Sequence, residues 1–470
     1  MPCQDESHYP DPDVLIVGGG PVGMLCAAEL ADYGVSVMLT EPRTGSDRRP
    51  RAGTIHSRTL SLLARRGYLR ESDSATQEGE VRTGFQFAGR PVLEITAPAV
   101  EPGPIAGIPQ WRLEELFEDL AIRRGANVRR GTRAVDIDAS ASRPRVRIET
   151  EEGRPEQLQV PWVIGADGAR SLVAGRGDFH RVEYPATMQA ISGLARPVRG
   201  ESLPHGWHQT PRGWLMSNPA GTDPWRIIPM DFTGPAADRR KAPTVSEYRA
   251  LLDAVLARPV QISDIHALTR FSDYGRYHET MREGRLMIVG DAAHVHYPLG
   301  GQGLNVGIHD AISLCWRLAD VVRGHAPATV LDDFSNERTE VAADVVANTV
   351  LQAQMMNPER SQLTRAVNHL IGGADLQRLM GEMVSQQRQP VAFQPDLRVS
   401  SPGQPETTLV RLLREGRHVA LRRADARGAD TPHGLGQLPP QTRVVVADLT
   451  PPPIWQAALV RPDGYIDRLN

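Results

Sequence analysis

The pattern of apolar and polar positions over residues 13–41 predicts the first structural unit of the chain. Apolar residues at 14–17 are typical of a buried strand, and a second apolar run covers residues 35–39. Between these runs, small and apolar residues recur at helical spacing. A strand, a helix and a second strand in this order indicate the start of a parallel α/β sheet.

The turn after the first strand consists mainly of glycine. It reads Gly18-Gly19-Gly20-Pro21-Val22-Gly23 and fits the pattern G-x-G-x-x-G. In such turns the first glycine permits the bend, the second lets a pyrophosphate approach the backbone, and the third lets helix and strand pack closely. The helix N-terminus attracts phosphate, and Glu41, 18 residues after Gly23, stands where a ribose-binding acid is expected. The unit predicts a dinucleotide site, with a chance glycine turn as the alternative.

A second glycine loop that leads into a helix occurs at residues 284–324. A buried strand over 286–289 ends near Asp291, the crevice position in open α/β sheets. A loop that contains Pro298 follows, and a helix is predicted from Leu304 to residue 322. Asp291 either caps a turn or accepts a ligand hydroxyl. One long anionic ligand between the two glycine loops explains why both are present.

The remaining pattern predicts a β-rich insertion and a separate tail. Helices are predicted at residues 52–66, 110–124 and 331–356, with two more helical segments up to about 387. Strands are predicted at 134–137, 145–148, 159–164, 213–216, 225–230, 419–421, 444–447 and 457–460. Four prolines between 390 and 405 indicate a linker. Residues 1–12 are expected to be loose.

Composition excludes several classes of partner. Of the 470 residues, 40% are hydrophobic and 23% charged, and the net charge of -3 favours neither nucleic acid nor an acidic membrane. No basic-apolar leader and no run of 18 apolar residues occurs, so a cytoplasmic protein is expected. The cysteines Cys3, Cys26 and Cys315 form no C-x-x-C pair, so neither a metal site nor a disulfide framework is expected. Cys26 and Cys315 lie in helical patterns as small hydrophobes.

Aromatic residues in the insertion indicate where a substrate binds. Trp207, Trp214 and Trp225 lie there with Met216, a set suited to flat apolar rings. Alternation places Trp214 and Met216 on one strand face, which either lines the pocket or packs in the sheet core. Three histidines are general-base candidates by residue type alone, with surface or structural roles as the alternative. They are His205, His208 and His266.

Three separated motifs resemble one family. GGGPVG with Glu41, GADGARS at 165–171 and GDAAHVHYPLGGQGLN at 290–305 resemble the FAD-dependent aromatic hydroxylases with the p-hydroxybenzoate hydroxylase fold. Within that family the chain is similar to enzymes that tailor aromatic polyketides, such as anthracycline and angucycline oxygenases. Smaller matches at 51–60, 331–338 and 459–466 extend the resemblance over nearly the whole chain.

The resemblance implies an α/β fold with three domains. A Rossmann-like FAD-binding domain would comprise residues 1–180 and 272–389, with a β-rich substrate-binding insertion at 181–271. Residues 390–470 would form a thioredoxin-like domain that lacks redox cysteines. The chain would be a monomer or a homodimer.

The resemblance also implies residue roles around a non-covalent FAD. The pyrophosphate would be held by Gly18, Gly20, Val22 and Gly23, and the adenosine ribose by Glu41. Arg51 and Gln110 would lie near the ribityl chain and the pyrophosphate, Val135 would contact the adenine through its backbone, and Asp291 would bind the ribityl chain. The isoalloxazine ring would be framed by Pro298, Gly301, Gly303, Leu304 and Asn305. Asp167 belongs to a motif that the family uses for both FAD and NAD(P)H. Ala174 departs from the family, which often has arginine there.

The implied reaction consumes NAD(P)H and O₂. Reduced flavin would form a C4a-hydroperoxide that hydroxylates a polycyclic aromatic substrate of polyketide type. Baeyer–Villiger insertion into a ketone or quinone stays open, since it uses the same adduct.

Two further alternatives are less favoured. A flavin halogenase would carry W-x-W-x-I-P, but Trp225 is out of register with the Ile-Pro that follows it, and the single lysine, Lys241, lies after this segment. A non-catalytic flavin-fold binding protein would not need the intact motif at Asp291.

Overall fold

The computed structural model describes residues 11–49, 51–69, 80–98, 101–219, 224–371, 373–426 and 435–470. Most of the segment predicted to be loose, and Cys3 with it, lies outside these ranges. Among the described residues, no helix has the length and apolar character needed to cross a bilayer.

The elements of the first region follow in chain order. They are β1 (Val14–Val17), α1 (Pro21–Asp32), β2 (Val37–Glu41), β3 (Thr54–His56), α2 (Ser57–Arg65), β4 (Val81–Phe87), β5 (Arg90–Ala97), β6 (Ile105–Gly107), α3 (Gln110–Arg123), β7 (Asn127–Arg130), β8 (Thr132–Asp138), β9 (Arg145–Thr150), β10 (Pro155–Gln159), β11 (Trp162–Gly165) and α4 (Leu172–Arg176).

The second and third regions are the insertion and the long helices. Their elements are β12 (Arg181–Tyr184), β13 (Gln189–Pro197), β14 (Gly206–Thr210), β15 (Gly213–Pro219), β16 (Trp225–Asp231), α5 (Val245–Leu256), β17 (Ile262–Phe271), β18 (Gly275–His278), β19 (Arg282–Glu283), β20 (Leu286–Ile288), β21 (His294–Val295), α6 (Gln302–Val322), α7 (Val330–Met356), α8 (Ser361–Ile371) and α9 (Ala374–Val384).

The tail forms a sheet of its own. Its elements are β22 (Arg398–Ser400), β23 (Thr407–Thr408), α10 (Leu409–Leu413), β24 (Val419–Arg423), β25 (Arg443–Thr450), β26 (Ala457–Val460) and β27 (Ile466–Leu469). The strand order is β23-β22-β25-β24-β26-β27. Trp316 on α6 donates a hydrogen bond from Nε1 to Oδ2 of Asp463 in the tail (3.1 Å), which joins the tail to the long helices.

The central sheet brings the three sequence motifs together. Its strand order is β19-β20-β11-β1-β2-β7, and all pairs except β19 with β20 are parallel. In register, Val17 pairs with Gly165, and Gly165 pairs with Ile288. The carboxyl ends of β1, β11 and β20 therefore lie side by side, which is where open α/β sheets bind ligands.

The insertion is an antiparallel sheet with two different faces. Its strand order is β14-β15-β16-β13-β17. One face packs against α5, where Tyr248 is buried and donates a hydrogen bond to the Ile227 carbonyl (3.0 Å). The opposite face borders the large cavity described below.

Two local predictions are wrong. The helix predicted over 52–66 begins only at Ser57, because Thr54–His56 pair with β6 as a strand. The strand predicted over 159–164 is interrupted at Pro161, since proline cannot donate a ladder hydrogen bond. The domain boundaries stay predictions.

Candidate active site

In the first glycine turn, Gly18 and Gly23 have no room for a side chain, whereas Gly20 faces open space. Gly18 has a φ of 105°, and a Cβ there would lie 2.4 Å from the Ala166 carbonyl oxygen. A Cβ on Gly23 would lie 1.9 Å from the Gly18 carbonyl oxygen, whereas a Cβ on Gly20 would meet nothing within 4 Å. Gly20 caps α1 without a side chain. The space beside Gly20 and the free N–H groups of α1 fit a pyrophosphate.

Glu41 is held beside this turn as a carboxylate. Its Oε2 accepts a hydrogen bond from the Gly19 N–H (2.7 Å), and its Oε1 accepts from the backbone N–H and Nε of Arg43 (2.9 and 2.8 Å). Burial opposes ionisation, but the hydrogen bonds from Arg43 and Gly19 hold the pKa of Glu41 below its ordinary value. An ionised carboxylate has about four lone-pair sites, so capacity remains for ribose hydroxyls.

The two glycine loops meet at Val22. A Cβ on Gly307 would lie 2.6 Å from Val22 Cγ2, and one on Gly290 would lie 3.2 Å from the same atom. Farther along the two helices, Cys315 and Cys26 are buried and free, as expected of small hydrophobic residues. The close approach of the two glycine loops at Val22 fits one ligand that extends from the Gly20 turn to the second loop.

Asp291 presents an uncommitted carboxylate to the cavity. It follows β20, it is exposed, and its side chain makes no hydrogen bond or ion pair with any residue in the described ranges. Its backbone carbonyl accepts a long hydrogen bond (3.4 Å) from Arg276 Nη2. The free carboxylate fits the role of a partner for ribityl hydroxyls.

A buried ionic network fixes the turn that carries Asp291. Asp310 on α6 is fully buried, and its Oδ2 accepts from the Gly290 N–H (3.0 Å) and lies 2.7 Å from His294 Nε2. Its Oδ1 accepts from Arg338 Nε (2.8 Å). Burial opposes ionisation of Asp310, but His294 and Arg338 hold its pKa far below the ordinary value. The network joins the Asp291 turn to α6 and α7.

The loop before α6 is held by β3. Gly300 and Gly301 have positive φ values of 71° and 65°, and α6 begins at Gln302, two residues earlier than predicted. His56 Nε2 donates to the Gly300 carbonyl (2.7 Å), and the His56 N–H donates to Asn305 Oδ1 (2.9 Å). Asn305 is buried and does not line the cavity, so its side chain supports the loop from behind.

One cavity of about 1300 Å³ collects many of the predicted residues. Seven predicted cofactor residues line it: Arg51, Gln110, Asp291, Pro298, Gly301, Gly303 and Leu304. Two predicted substrate residues, Trp207 and Met216, line it as well. Ligand pockets commonly measure about 300–1,000 Å³, so this cavity has room for a flat cofactor ring and a polycyclic molecule together.

Asp167 and Val135 lie outside the cavity lining. Asp167 Oδ2 accepts from the Leu172 N–H (2.6 Å) and fixes the start of α4, and burial raises its pKa. Val135 lies where the register of β8 against β9 shifts. A bulge of this kind leaves backbone groups unpaired, which fits a backbone contact to adenine.

Two of the four substrate candidates lie elsewhere in the insertion. Trp214 is 3% exposed, and its Nε1 donates to the Met356 carbonyl (2.8 Å). Trp225 packs with the α5 cluster on the opposite face, with its ring edge-on to His205. Neither tryptophan lines the cavity.

The histidines at the cavity differ from those proposed from residue type. His205, His208 and His266 are exposed and do not line it. His296 does: its Nδ1 donates to the Tyr297 carbonyl (2.9 Å), and its buried Nε2 has no hydrogen-bond partner among the described residues. Burial lowers the pKa of His296. Its place in the third motif, directly before Tyr297, was the available sequence signal.

Comparison with known proteins identifies the family. Residues 11–349 match the family described as FAD binding domain. Rifampicin monooxygenase from Streptomyces venezuelae is 33% identical over 386 residues, which cover 79% of this chain and 75% of that protein. The chain belongs to the FAD-dependent monooxygenase family.

Two further similarities extend over almost the whole chain. Dialkyldecalin synthase from Streptomyces rugosporus is 30% identical over 469 residues, which cover 96% of this chain and 95% of that protein. The crystal structure of CabE, an aromatic hydroxylase from angucycline biosynthesis, is 29% identical, with a TM-score of 0.84 and coverage of 98% and 96%. The predicted family, the α/β p-hydroxybenzoate hydroxylase-type fold and the FAD cofactor are confirmed. The individual site residues stay predictions.

Replacing Asp291 with alanine should weaken FAD binding by this monooxygenase without loss of stability. The carboxylate makes no hydrogen bond or ion pair with a described residue, and it interacts with Arg276 and His296 only through charge at longer range, so its removal costs the fold little. Loss of a charge-assisted hydrogen bond costs about 1.5–3 kcal/mol, or roughly 10- to 150-fold in affinity. Flavin fluorescence titration of the apoprotein measures the change, and Asp291→Asn should lose less. Wild-type FAD affinity in a folded Asp291→Ala variant would refute the assignment.

Replacing Trp214 with alanine should lower stability more than it impairs substrate binding. The buried indole fills core volume, and such truncations cost about 3–5 kcal/mol. The matched change Trp207→Ala, at the cavity, should raise the substrate KM with a smaller loss of stability. Urea unfolding and KM measured on both variants test this. Raised KM with normal stability in Trp214→Ala would place Trp214 at the pocket instead.

Stability should rise with pH between about 4 and 6.5, partly because of His56. Burial lowers the pKa of His56 from 6.5 to about 4. Between pH 4 and 6.5 the folded state then binds fewer protons at His56 than the unfolded state does. The free energy of unfolding is therefore highest above pH 6.5 and falls as the pH decreases toward 4. The shift corresponds to about 3 kcal/mol. His56→Gln should flatten the pH dependence of unfolding, whereas the exposed control His208→Gln should not; equal slopes would contradict the assignment.

Proposed function

We propose that the chain is an NAD(P)H-dependent monooxygenase that hydroxylates a polycyclic aromatic substrate of polyketide type. One observation carries this proposal: the loop before α6, which would frame the flavin ring, lines the same cavity as a face of the insertion that carries both apolar and basic side chains. When bound, FAD supplies the redox chemistry, taking electrons from NAD(P)H and activating O₂ for transfer of one oxygen atom. A cytoplasmic location and a monomeric or homodimeric state stay predictions.

The N-terminus of α6 supplies positive potential at the cavity. Gly301 caps this helix without a side-chain hydrogen bond, and Gly301, Gln302 and Gly303 all line the cavity. The N–H groups at the start of a 21-residue helix carry a partial positive charge. We expect them to stabilise negative charge that develops on a bound ring system.

The far wall of the cavity helps to exclude water. Tyr297 is buried, and its hydroxyl donates to Met230 Sδ (3.1 Å), which joins the flavin-framing loop to β16 of the insertion. Burial raises the pKa of Tyr297, so the phenol stays neutral. A dry contact between loop and insertion would limit unproductive reaction of the activated oxygen with water.

A ring-forming synthase is the second candidate. It is favoured by the similarity to dialkyldecalin synthase, which covers 96% of this chain. A ring-forming isomerisation would need neither NAD(P)H nor O₂, and it would leave the mass of the substrate unchanged. Baeyer–Villiger insertion would add one oxygen atom, as hydroxylation does, but into a ring bond.

Turnover of a substrate panel tests the proposal. FAD-loaded protein is incubated with anthracyclinones, angucyclinones, naphthacenes and naphthoquinones, with NADH or NADPH, in the presence and absence of O₂. We expect at least one aromatic polyketide to accelerate NAD(P)H oxidation and to gain one oxygen atom only when O₂ is present. A product of unchanged mass formed without NAD(P)H would overturn the proposal in favour of the synthase. Free FAD serves as the control, and product connectivity separates hydroxylation from ring insertion.

A further inference from the structure

An arginine lies on the substrate side of the cavity, near the start of β16. Arg226 is on β16, where it pairs with Leu194 of β13 and Asn218 of β15. Side chains alternate along a strand, so Arg226 shares a face with Ile228 and Met230, and all three line the cavity. The neighbouring residues on β16 pack on the opposite face, against α5.

Arg226 has no acidic partner among the described residues. Its Nε donates to Ser192 Oγ (3.2 Å), and neither Nη atom makes a hydrogen bond to a described residue. Burial lowers the pKa of Arg226, and no nearby charge contributes to the shift. Arg226 is half-buried, so its guanidinium is partly removed from water without a counter-charge, which costs free energy, and its Nη groups stay available to an anionic ligand in the cavity.

Three of the other arginines that line the cavity are paired with acids. Arg270 contacts Glu247 (2.7 Å), Arg51 contacts Asp47 (2.9 Å), and Arg181 contacts Glu183 (2.6 Å). These cations are committed to acids of the protein. Four more arginines line the cavity without an ion pair to a described acid. Three of them, Arg170, Arg239 and Arg240, are exposed, and Arg276 donates from Nη2 to the backbone carbonyls of Ala169 (2.8 Å) and Asp291 (3.4 Å). Arg226 differs from all of these because it is half-buried on the substrate side and its Nη atoms make no hydrogen bond to a described residue.

The position of Arg226 sets its distance from the flavin-framing loop. Met230 contacts the Tyr297 hydroxyl and so marks the end of β16 next to that loop. Met230 is four positions along the strand from Arg226, which amounts to about 13 Å in extended backbone. A ligand that contacts both ends must therefore be long, with its anionic group remote from the loop.

We infer that Arg226 binds an oxyanion of the substrate, carried as a carboxylate or an ionised enol or phenol, at the end of the polycycle remote from the oxygenated ring. This inference rests on the proposed function, because it takes the cavity to be the substrate site. Guanidinium stays charged at all working pH values and pairs with planar oxyanions through two parallel hydrogen bonds. The substrate class is thus an elongated acidic polycycle rather than a neutral one.

Anion selectivity of the FAD-loaded enzyme tests the inference. Three anthraquinone probes are titrated without NAD(P)H while the absorbance of bound flavin is followed: a carboxylate, its neutral carboxamide, and a hydroxyanthraquinone ionised as the phenolate. The wild type should bind the carboxylate about 10- to 150-fold more tightly than the carboxamide. Arg226→Gln should abolish this preference and leave carboxamide affinity within a few-fold. The phenolate shows whether an ionised ring hydroxyl suffices.

Two further variants keep the result interpretable. Arg249→Gln removes an arginine from α5, on the opposite side of the same sheet, and should retain the preference. Arg226→Lys keeps a positive charge but lacks the planar guanidinium, so we expect its preference for the carboxylate over the carboxamide to be smaller than that of the wild type. If Arg226→Gln fails to fold, Arg226→Lys provides the test instead.

The inference is overturned if the wild type does not prefer the carboxylate or if Arg226→Gln keeps the preference. It is also overturned if Arg226→Gln lowers the affinity for the carboxylate and the carboxamide by the same factor. Because binding is measured without turnover, a preserved selectivity with no oxygenated product would refute the proposed function alone.

Discussion

Gly20→Ala should abolish practical FAD binding and leave the apoprotein folded. Gly20 has ordinary extended backbone angles, and a Cβ there would meet no protein atom within 4 Å. The methyl group would instead occupy the space beside the α1 N-terminus where the pyrophosphate is expected. Loss of two charge-assisted hydrogen bonds corresponds to roughly 10²- to 10⁴-fold in affinity.

Two measurements on the Gly20→Ala apoprotein check this expectation. Flavin fluorescence quenching gives the FAD affinity, and thermal unfolding gives the stability. Gly84→Ala is the matched control, because a Cβ at Gly84 on β4 also meets nothing within 4 Å but lies away from the turn. Wild-type FAD affinity in Gly20→Ala would show that the pyrophosphate does not bind beside Gly20. By contrast, Gly23→Ala is expected to damage the fold itself.

Asp310→Asn should destabilise the protein by about 3–5 kcal/mol, the cost of breaking a buried ion pair. The change leaves the buried Arg338 guanidinium without its counter-charge and removes the carboxylate that contacts His294. The folded pKa of Asp310 lies below its unfolded value, so this stabilisation is present above the unfolded pKa and is lost as pH falls through the folded one. The effect should therefore be constant between pH 6 and 8 and shrink in acid.

Urea unfolding at several pH values measures the Asp310→Asn effect. Asp332→Asn is the matched control, because Asp332 pairs with Arg282 at the surface with 57% of its side chain exposed. Exposed pairs of this kind contribute about 0–1 kcal/mol. Equal effects of the two substitutions would show that the network is not a source of stability. FAD affinity should also fall in Asp310→Asn, since Gly290 loses a charged hydrogen-bond acceptor.

Local backbone chemistry explains why the cofactor side was predictable from sequence. Glycine turns, the acid at the end of β2 and the apolar strands are short-range patterns, and parallel pairing then places the carboxyl ends of the strands together. Arg51, Gln110 and Asp291 were assigned through family motifs, and all three line the cavity.

Side-chain direction and long-range pairing explain what the sequence did not show. Both faces of β15 and β16 carry large apolar residues, so alternation alone could not tell that Met216 faces the cavity and Trp225 faces α5. Asp310 meets Arg338 only through the packing of α6 on α7. The role of Arg226 could not be predicted from the sequence, because its lack of a counter-charge is a property of the folded state.

The most direct test of the central claim is the origin of the oxygen atom in the product. FAD-loaded protein, NAD(P)H and the panel compound that most accelerates NAD(P)H oxidation are incubated under isotopically labelled O₂, and the product is analysed by mass spectrometry. A monooxygenase incorporates one labelled atom per product molecule and consumes one NAD(P)H for each product formed. Product without label, or product formed equally well without O₂, would contradict the account.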